Sequence, residues 1–149
     1  MTSVHQGRSY ASARSFFWPP LALVCLLLGA PQHAQADVAA ELNAAARQHL
    51  AGAFESALAH WEQARLEAQA AGDANAEARA QLGAARTYLA LGRAPLATQR
   101  LESAHKLATA QGNQALLGPI SAALGSALLL AGEPAQARAA LEQAITLGR

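Results

Sequence analysis

The chain carries one cysteine in 149 residues, and that cysteine, Cys25, stands inside an N-terminal apolar run. Disulfide stapling within the chain is therefore excluded. Cys25 does not resemble a lipoprotein acceptor, because Val24 occupies the place of the usual small residue and apolar residues follow. Aromatic residues make up 5% and charged residues 14%, against 52% hydrophobic residues that are largely alanine. Such a chain is too apolar to be disordered throughout, and its core must come from helices that approach closely. Charge of one sign is lacking as well. Eleven basic and ten acidic residues leave +1, and beyond residue 36 nine basic residues face ten acidic ones, a balance of −1. That leaves no electrostatic footprint for nucleic acid. No G-x-x-x-x-G-K-[ST] loop, G-x-S-x-G elbow or Cys-His pair is present, so phosphate cradling and nucleophilic hydrolysis lack their parts.

What is present begins with a targeting pattern. Arg8 and Arg14 precede the run Leu21-Ala22-Leu23-Val24-Cys25-Leu26-Leu27-Leu28, and Ala34-Gln35-Ala36 supplies a small-x-small cleavage sequence. Residues 1–36 therefore read as a signal peptide cleaved before Asp37, and the run falls short of the ~20 residues that span a bilayer. The expected location is the periplasm or the exterior, with a mature chain free of cysteine and of membrane contact.

Internal repetition dominates the remainder, residues 37–149. Gly52, Gly92 and Gly132 are spaced by 40, and the same step links Ala57, Ala97 and Ala137; Trp61, Leu101 and Leu141; Glu62, Glu102 and Glu142; and Ala64, Ala104 and Ala144. Gly72-Asp73 and Gly112-Asn113 repeat at 40 too. Each unit reads as two helices, one glycine series ending the first helix and the other separating units. Pro95 and Pro134 fall where a second helix begins, a place where proline forfeits no hydrogen bond; Phe54 holds that place in the first unit. Apolar residues recur at steps of three and four, and no stretch alternates with period two. The spacing predicts helices at 38–51, 54–71, 75–91, 95–110, 119–131 and 134–147, the fifth starting late or kinked because of Gly118-Pro119. The units run about 38–73, 74–113 and 114–149.

Tyr88, Gly92, Ala97, Leu101 and Ala104, with the partial copies Leu128, Gly132, Ala137, Leu141, Ala144 and Gly52, Phe54, Ala57, Trp61, Ala64, resemble the tetratricopeptide repeat. Gly125 matches that family's glycine in the first helix. The resemblance covers nearly all of residues 38–149. It departs from the family in its period of 40 rather than 34, in having no closing proline, and in Gln48 where an aromatic is usual; long-period relatives such as the kinesin light chain repeats look closer. It implies an all-α fold, a right-handed superhelical solenoid of three helical hairpins, with small residues at helix crossings and Trp61, Leu101 and Leu141 plugging the gaps between hairpins.

Stacked hairpins form a curved solenoid with a concave groove, and the resemblance implies that protein or peptide segments bind there through the first helix of each unit. Asn43, Arg47, Gln81, Arg86, Ser121 and Ser126 are the candidate groove residues. Few charges line these helices, so a weakly charged or apolar ligand segment is expected. No enzymatic activity, cofactor or metal is implied. Leu141, Ile145 and Leu147 leave an apolar face on the last helix, where self-association, a partner or further chain is expected. The alternative reading makes these repeats an accessory region of a larger secreted protein with a downstream caspase-like protease domain.

The other polar residues read as structural. His49, His60 and His105 share no repeat position and form no i, i+4 ligand pair, which suits incidental surface histidines. The glutamate series lies too far apart to share a proton, with Glu62 only loosely near basic residues and Glu102 placed four residues before Lys106 for a surface pair. Trp61 falls on the core series, so packing outweighs a ligand-stacking role.

Overall fold

Five glycines, Gly52, Gly72, Gly92, Gly112 and Gly132, take φ between 62° and 79° and stand every 20 residues. The left-handed backbone that they adopt costs glycine nothing and ends a helix cleanly. At every one of these turns the glycine N–H donates to the carbonyl three residues back, and the next N–H donates five back, as in Gly92 to Leu89 (2.9 Å) and Arg93 to Tyr88 (2.8 Å). The residue after each glycine also accepts the first bond of the following helix, as Arg93 does from Ala97 at 3.1 Å. One compact turn therefore closes one helix and opens the next without a linker.

The computed structural model describes residues 30–148, which form six helices: α1 (Ala30–Leu50), α2 (Phe54–Ala71), α3 (Ala74–Ala90), α4 (Ala94–Ala110), α5 (Gln114–Leu130) and α6 (Pro134–Leu147). No strand occurs among the described residues. The all-helical class and the later boundaries agree with the sequence reading to within a residue or so, and two helices differ. Helix α1 begins at Ala30, not 38: its only proline, Pro31, falls in the first turn, where no helix hydrogen bond is forfeited, and the helix runs unbroken across the expected Ala36-Asp37 junction. The apolar run at residues 21–28, with Cys25, Arg8 and Arg14, lies outside the described residues.

Helix α5 begins at Gln114 rather than at Pro119. The Asn113 side chain caps it, accepting from the Leu116 N–H at 3.2 Å, and this fixes the start one full turn before the proline. Pro119 then sits inside the helix without a kink being needed to begin it. The carbonyl that loses its donor to the proline belongs to Ala115, an exposed residue.

Each helix packs on the next in sequence. In addition α1 touches α3 and α3 touches α5, whereas α2, α4 and α6 make no such contacts with each other. Alanine makes the close approach possible. Ala57, Ala97 and Ala137 are fully buried, as are Ala64 and Ala104, and Ala45 and Ala85 line up with Gly125 at the same step of 40 on the first helices. Leu82, Leu101, Leu117 and Ile120 fill the larger spaces in one cluster with Ala85, Ala97 and Ala104, and Val38, Leu42 and the half-buried Trp61 anchor a second around Ala64, Ala68 and Ala80.

A candidate binding cavity between the first helices

The three first helices, α1, α3 and α5, line an open cavity of about 570 Å³ that the α2 residue Trp61 also reaches. From α1 come Leu42, Asn43, Ala46, His49 and Leu50, spaced to share one face. Helix α3 contributes Arg79, Leu82, Gly83 and Arg86, a stripe at i, i+3, i+4 and i+7, and α5 contributes Leu116 and Pro119. The floor is leucine, indole and glycine, and the polar rim is an amide, an imidazole and two guanidinium groups.

A hydrogen-bond network locks one wall. Thr87 is fully buried; its hydroxyl donates to the Gly83 carbonyl at 3.0 Å and accepts from Trp61 Nε1 at 3.2 Å. His49 Nδ1 lies 2.9 Å from the same oxygen. With the hydroxyl proton committed to Gly83, His49 is the donor in its contact, so Nδ1 carries a hydrogen. The His49 ring in turn tilts against Phe54, with centroids 5.6 Å apart. His49 is therefore a structural member of this wall, not an incidental surface histidine. His60 is likewise engaged, its Nδ1 2.6 Å from Glu41 Oε2 across the α1 to α2 hairpin.

Of the residues proposed for the groove, Asn43 and Arg86 line the cavity. Arg47 is exposed on α1 outside it, and Ser126 is exposed on α5 with its Oγ donating back to the Ala122 carbonyl at 3.1 Å. Gln81 and Ser121, equivalent at the step of 40, are buried at 6% and 1% exposure. Gln81 accepts from Arg100 Nη1 of α4 at 3.2 Å, whereas the Ser121 Oγ has no hydrogen-bond partner among the described residues. Both lie on the flank turned toward the rest of the protein and not on the cavity stripe. Sequence reasoning passed over Arg79, His49 and the leucines; the signal for Arg79 is its place seven residues before Arg86, on the same face.

The basic residues divide into two groups. Arg65 pairs with Glu62 at 2.6 Å, and Arg100 reaches Glu62 from α4 at 3.3 Å. Glu62 is thus firmly paired, not loosely neighboured, because stacking brings Arg100 from the second unit against the first. The hydrogen bonds from Arg65, helped by the nearby Arg100 charge, hold the Glu62 carboxyl below the usual glutamate range and outweigh the opposing effect of burial. Glu102 and Lys106 form no ion pair among the described residues, both being exposed and free to point into water. Arg79 and Arg86 also have no carboxylate partner there, and no acidic residue lines the cavity.

A second, shallower depression lies between α5 and α6, bordered by Gly118, Pro119, Ala122, Leu141, Ala144, Ile145 and Gly148. Ile145 is 59% exposed, while Leu141 and Leu147 are half-buried. Among the described residues there is no cluster of three or more metal-ligating side chains, and no helix is long and apolar enough to cross a membrane. No protein-family model matches the chain, and no curated protein is significantly similar to it.

Proposed function

We propose that the chain is an exported repeat scaffold of the tetratricopeptide type, without catalytic function, that binds a protein or peptide segment in the cavity between its first helices. The carrying observation is that this cavity is built from all three first helices, with an apolar floor, a polar rim and a rigid wall held by Thr87. Concave sites with few, fixed polar groups are what recognition of an extended segment requires. The contact pattern supports a curved stack, since first helices touch one another and second helices do not. The step of 40 and the Ala57, Ala97, Ala137 and Trp61, Leu101, Leu141 series support the family resemblance. Export rests on the signal-like pattern of residues 1–36.

A photo-crosslinking residue placed at Asn43, in the cavity, or at Gln63, exposed on α2, tests this in the producing cell. The expected result is a discrete protein adduct from position 43 and none from 63. Equal labelling from both positions, or from 63 alone, would sink the reading. Arg86→Ala should weaken that adduct while leaving the melting temperature unchanged, because Arg86 is exposed and forms no ion pair.

A further inference from the structure

We infer that the outer face formed by α5 and α6 pairs with the same face of a second copy of this chain, α6 lying antiparallel to its equivalent, so that two copies close into a twofold dimer. The pairing is independent of what the cavity binds. Inside the chain, the step of 40 shows what such a face does. Leu101, Ala104 and Ala108 of α4 are fully buried, whereas their equivalents on α6, Leu141, Ala144 and Gly148, are half-buried or exposed. Leu129 of α5 is 55% exposed, whereas its equivalent Leu89 is half-buried against the core cluster that α5 completes.

The face complements itself in shape and in charge. Helices α5 and α6 run antiparallel, Gly118 lying beside Ala144 and Leu147, and Gly125 beside Leu141. Leu141 therefore stands near the middle. The depression bordered by Gly118, Ala122, Ala144 and Gly148 lies at one end and the exposed Leu129 at the other. A twofold axis crossing α6 level with position 140 sets Leu129 of the partner subunit over the depression. The same axis sets Arg138 against the partner's Glu142, and Glu142 against the partner's Arg138. Both residues are exposed and have no ion-pair partner among the described residues, and on their own helix they stand in the order that favours an internal pair less. No ionisable side chain borders the depression, so covering it desolvates no charge. A head-to-tail joint, the way units stack inside the chain, fits worse. Trp61 rests on Gly83, Leu101 shares a cluster with Ala123, and the residue one step of 40 before Gly83 is Asn43. Helix α1 of a second copy would thus press an amide against Leu141, with the exposed Asp37 and Arg47 beside it, and these groups would lose water without gaining partners.

Sedimentation of the purified protein across a dilution series tests the pairing. A two-chain mass that falls to one chain on dilution is expected. Ile145→Ser, at the rim of the depression, should raise the dimer Kd about tenfold or more. Arg138→Glu and Glu142→Arg each place like charges together twice across the axis and should weaken the dimer by a similar factor. Mixed with each other, the two charge variants should recover a two-chain species, and the Arg138→Glu/Glu142→Arg protein should recover it alone. All variants should keep the parent's circular dichroism spectrum, because the three positions are exposed. A one-chain mass at every concentration would overturn the pairing, whether or not the protein sediments with phosphatidylglycerol vesicles. Masses that grow beyond two chains would overturn it in favour of head-to-tail stacking, and charge variants that fail to rescue each other would place any dimer on another surface.

Discussion

The indole of Trp61 rests directly on the backbone of Gly83: a Cβ at position 83 would lie 2.6 Å from each of three indole ring atoms. The same place one unit later pairs Leu101 with Ala123, two residues of one core cluster. The larger plug in the first interface is matched by the missing side chain opposite it. Gly83→Ala should gain about 1 kcal/mol of helix propensity but lose more through overpacking and through displacement of the indole from Thr87, for a net loss of about 1–2 kcal/mol. Trp61→Leu with Gly83→Ala recreates the Leu101 and Ala123 pairing. Urea unfolding of the four proteins in this cycle should show the double variant at least about 1 kcal/mol more stable than the summed single losses. Simple additivity would mean that the two residues do not constrain each other.

The step of 40 was legible because the same mechanical problem, crossing two helices closely and plugging the gap to the next pair, recurs three times and selects glycine, alanine and a large apolar residue at fixed places. A finer period was equally present and less obvious. All five turns use one geometry every 20 residues, but their flanking residues differ, Ala53, Asp73, Arg93, Asn113 and Glu133, so that only the glycine betrays it. At the start of α5 the Asn113 cap outweighs Pro119, and a proline is the louder signal in a sequence than a cap. The cavity was legible in part. Periodicity identifies which helices line it, but separating Arg86 from Gln81 requires knowing the rotation of α3 to within half a turn, and alanine on nearly every face blurs that angle. Ion pairs between units, such as Glu62 with Arg100, depend on stacking and leave no local signature.

The shared turn geometry lends itself to a capping prediction. Asp73 accepts from the Ala76 N–H at 2.9 Å and Asn113 from that of Leu116, whereas Ala53, Arg93 and Glu133 supply no side-chain cap. The backbone at Arg93, with φ −93° and ψ 63°, is close to that at Asp73, with φ −87° and ψ 83°. Arg93→Asp should therefore cap α4 through the Leu96 N–H and add up to about 1 kcal/mol, and Asp73→Ala should remove a similar amount. Thermal melts followed by circular dichroism measure both. A destabilised Arg93→Asp variant would show that the small difference in ψ puts the carboxylate out of reach.

Acid should act through Glu62 in a defined direction. Its carboxyl titrates lower in the folded chain than the ordinary value of 4.5, first because Arg65 hydrogen-bonds it and then because Arg100 lies near. A depressed folded value means that the pairing stabilises fully above about pH 4.5 and is lost as the pH falls through the folded value. The carboxylate side chain is 43% exposed, so solvent screening limits the effect to a few tenths of a kcal/mol. Glu62→Gln should lower the urea midpoint slightly at neutral pH and converge on the parent as the pH falls through the folded value, below 4.5. A constant gap between the two proteins across that range would assign the difference to packing.

Ser121 offers the sharpest separation of fold from function. Its hydroxyl is 1% exposed and has no partner among the described residues, so the folded state carries a desolvated donor and acceptor that the unfolded chain returns to water. Removing it with Ser121→Ala deletes that penalty, improves helix propensity and leaves a void of only one oxygen. The net effect should be a gain of about 1 kcal/mol, read as a higher melting temperature. Gln81, its equivalent one unit earlier, already accepts from Arg100, and Gln81→Ala should instead destabilise by about 1 kcal/mol by removing one of that guanidinium's acceptors, Glu62 remaining, and by opening a gap in a buried position. Opposite signs at two positions related by the repeat follow from whether a second helix supplies a partner. Equal losses at both would mean that Ser121 is bonded in solution, and a Ser121→Ala protein that melts higher but no longer binds would return this residue to the groove.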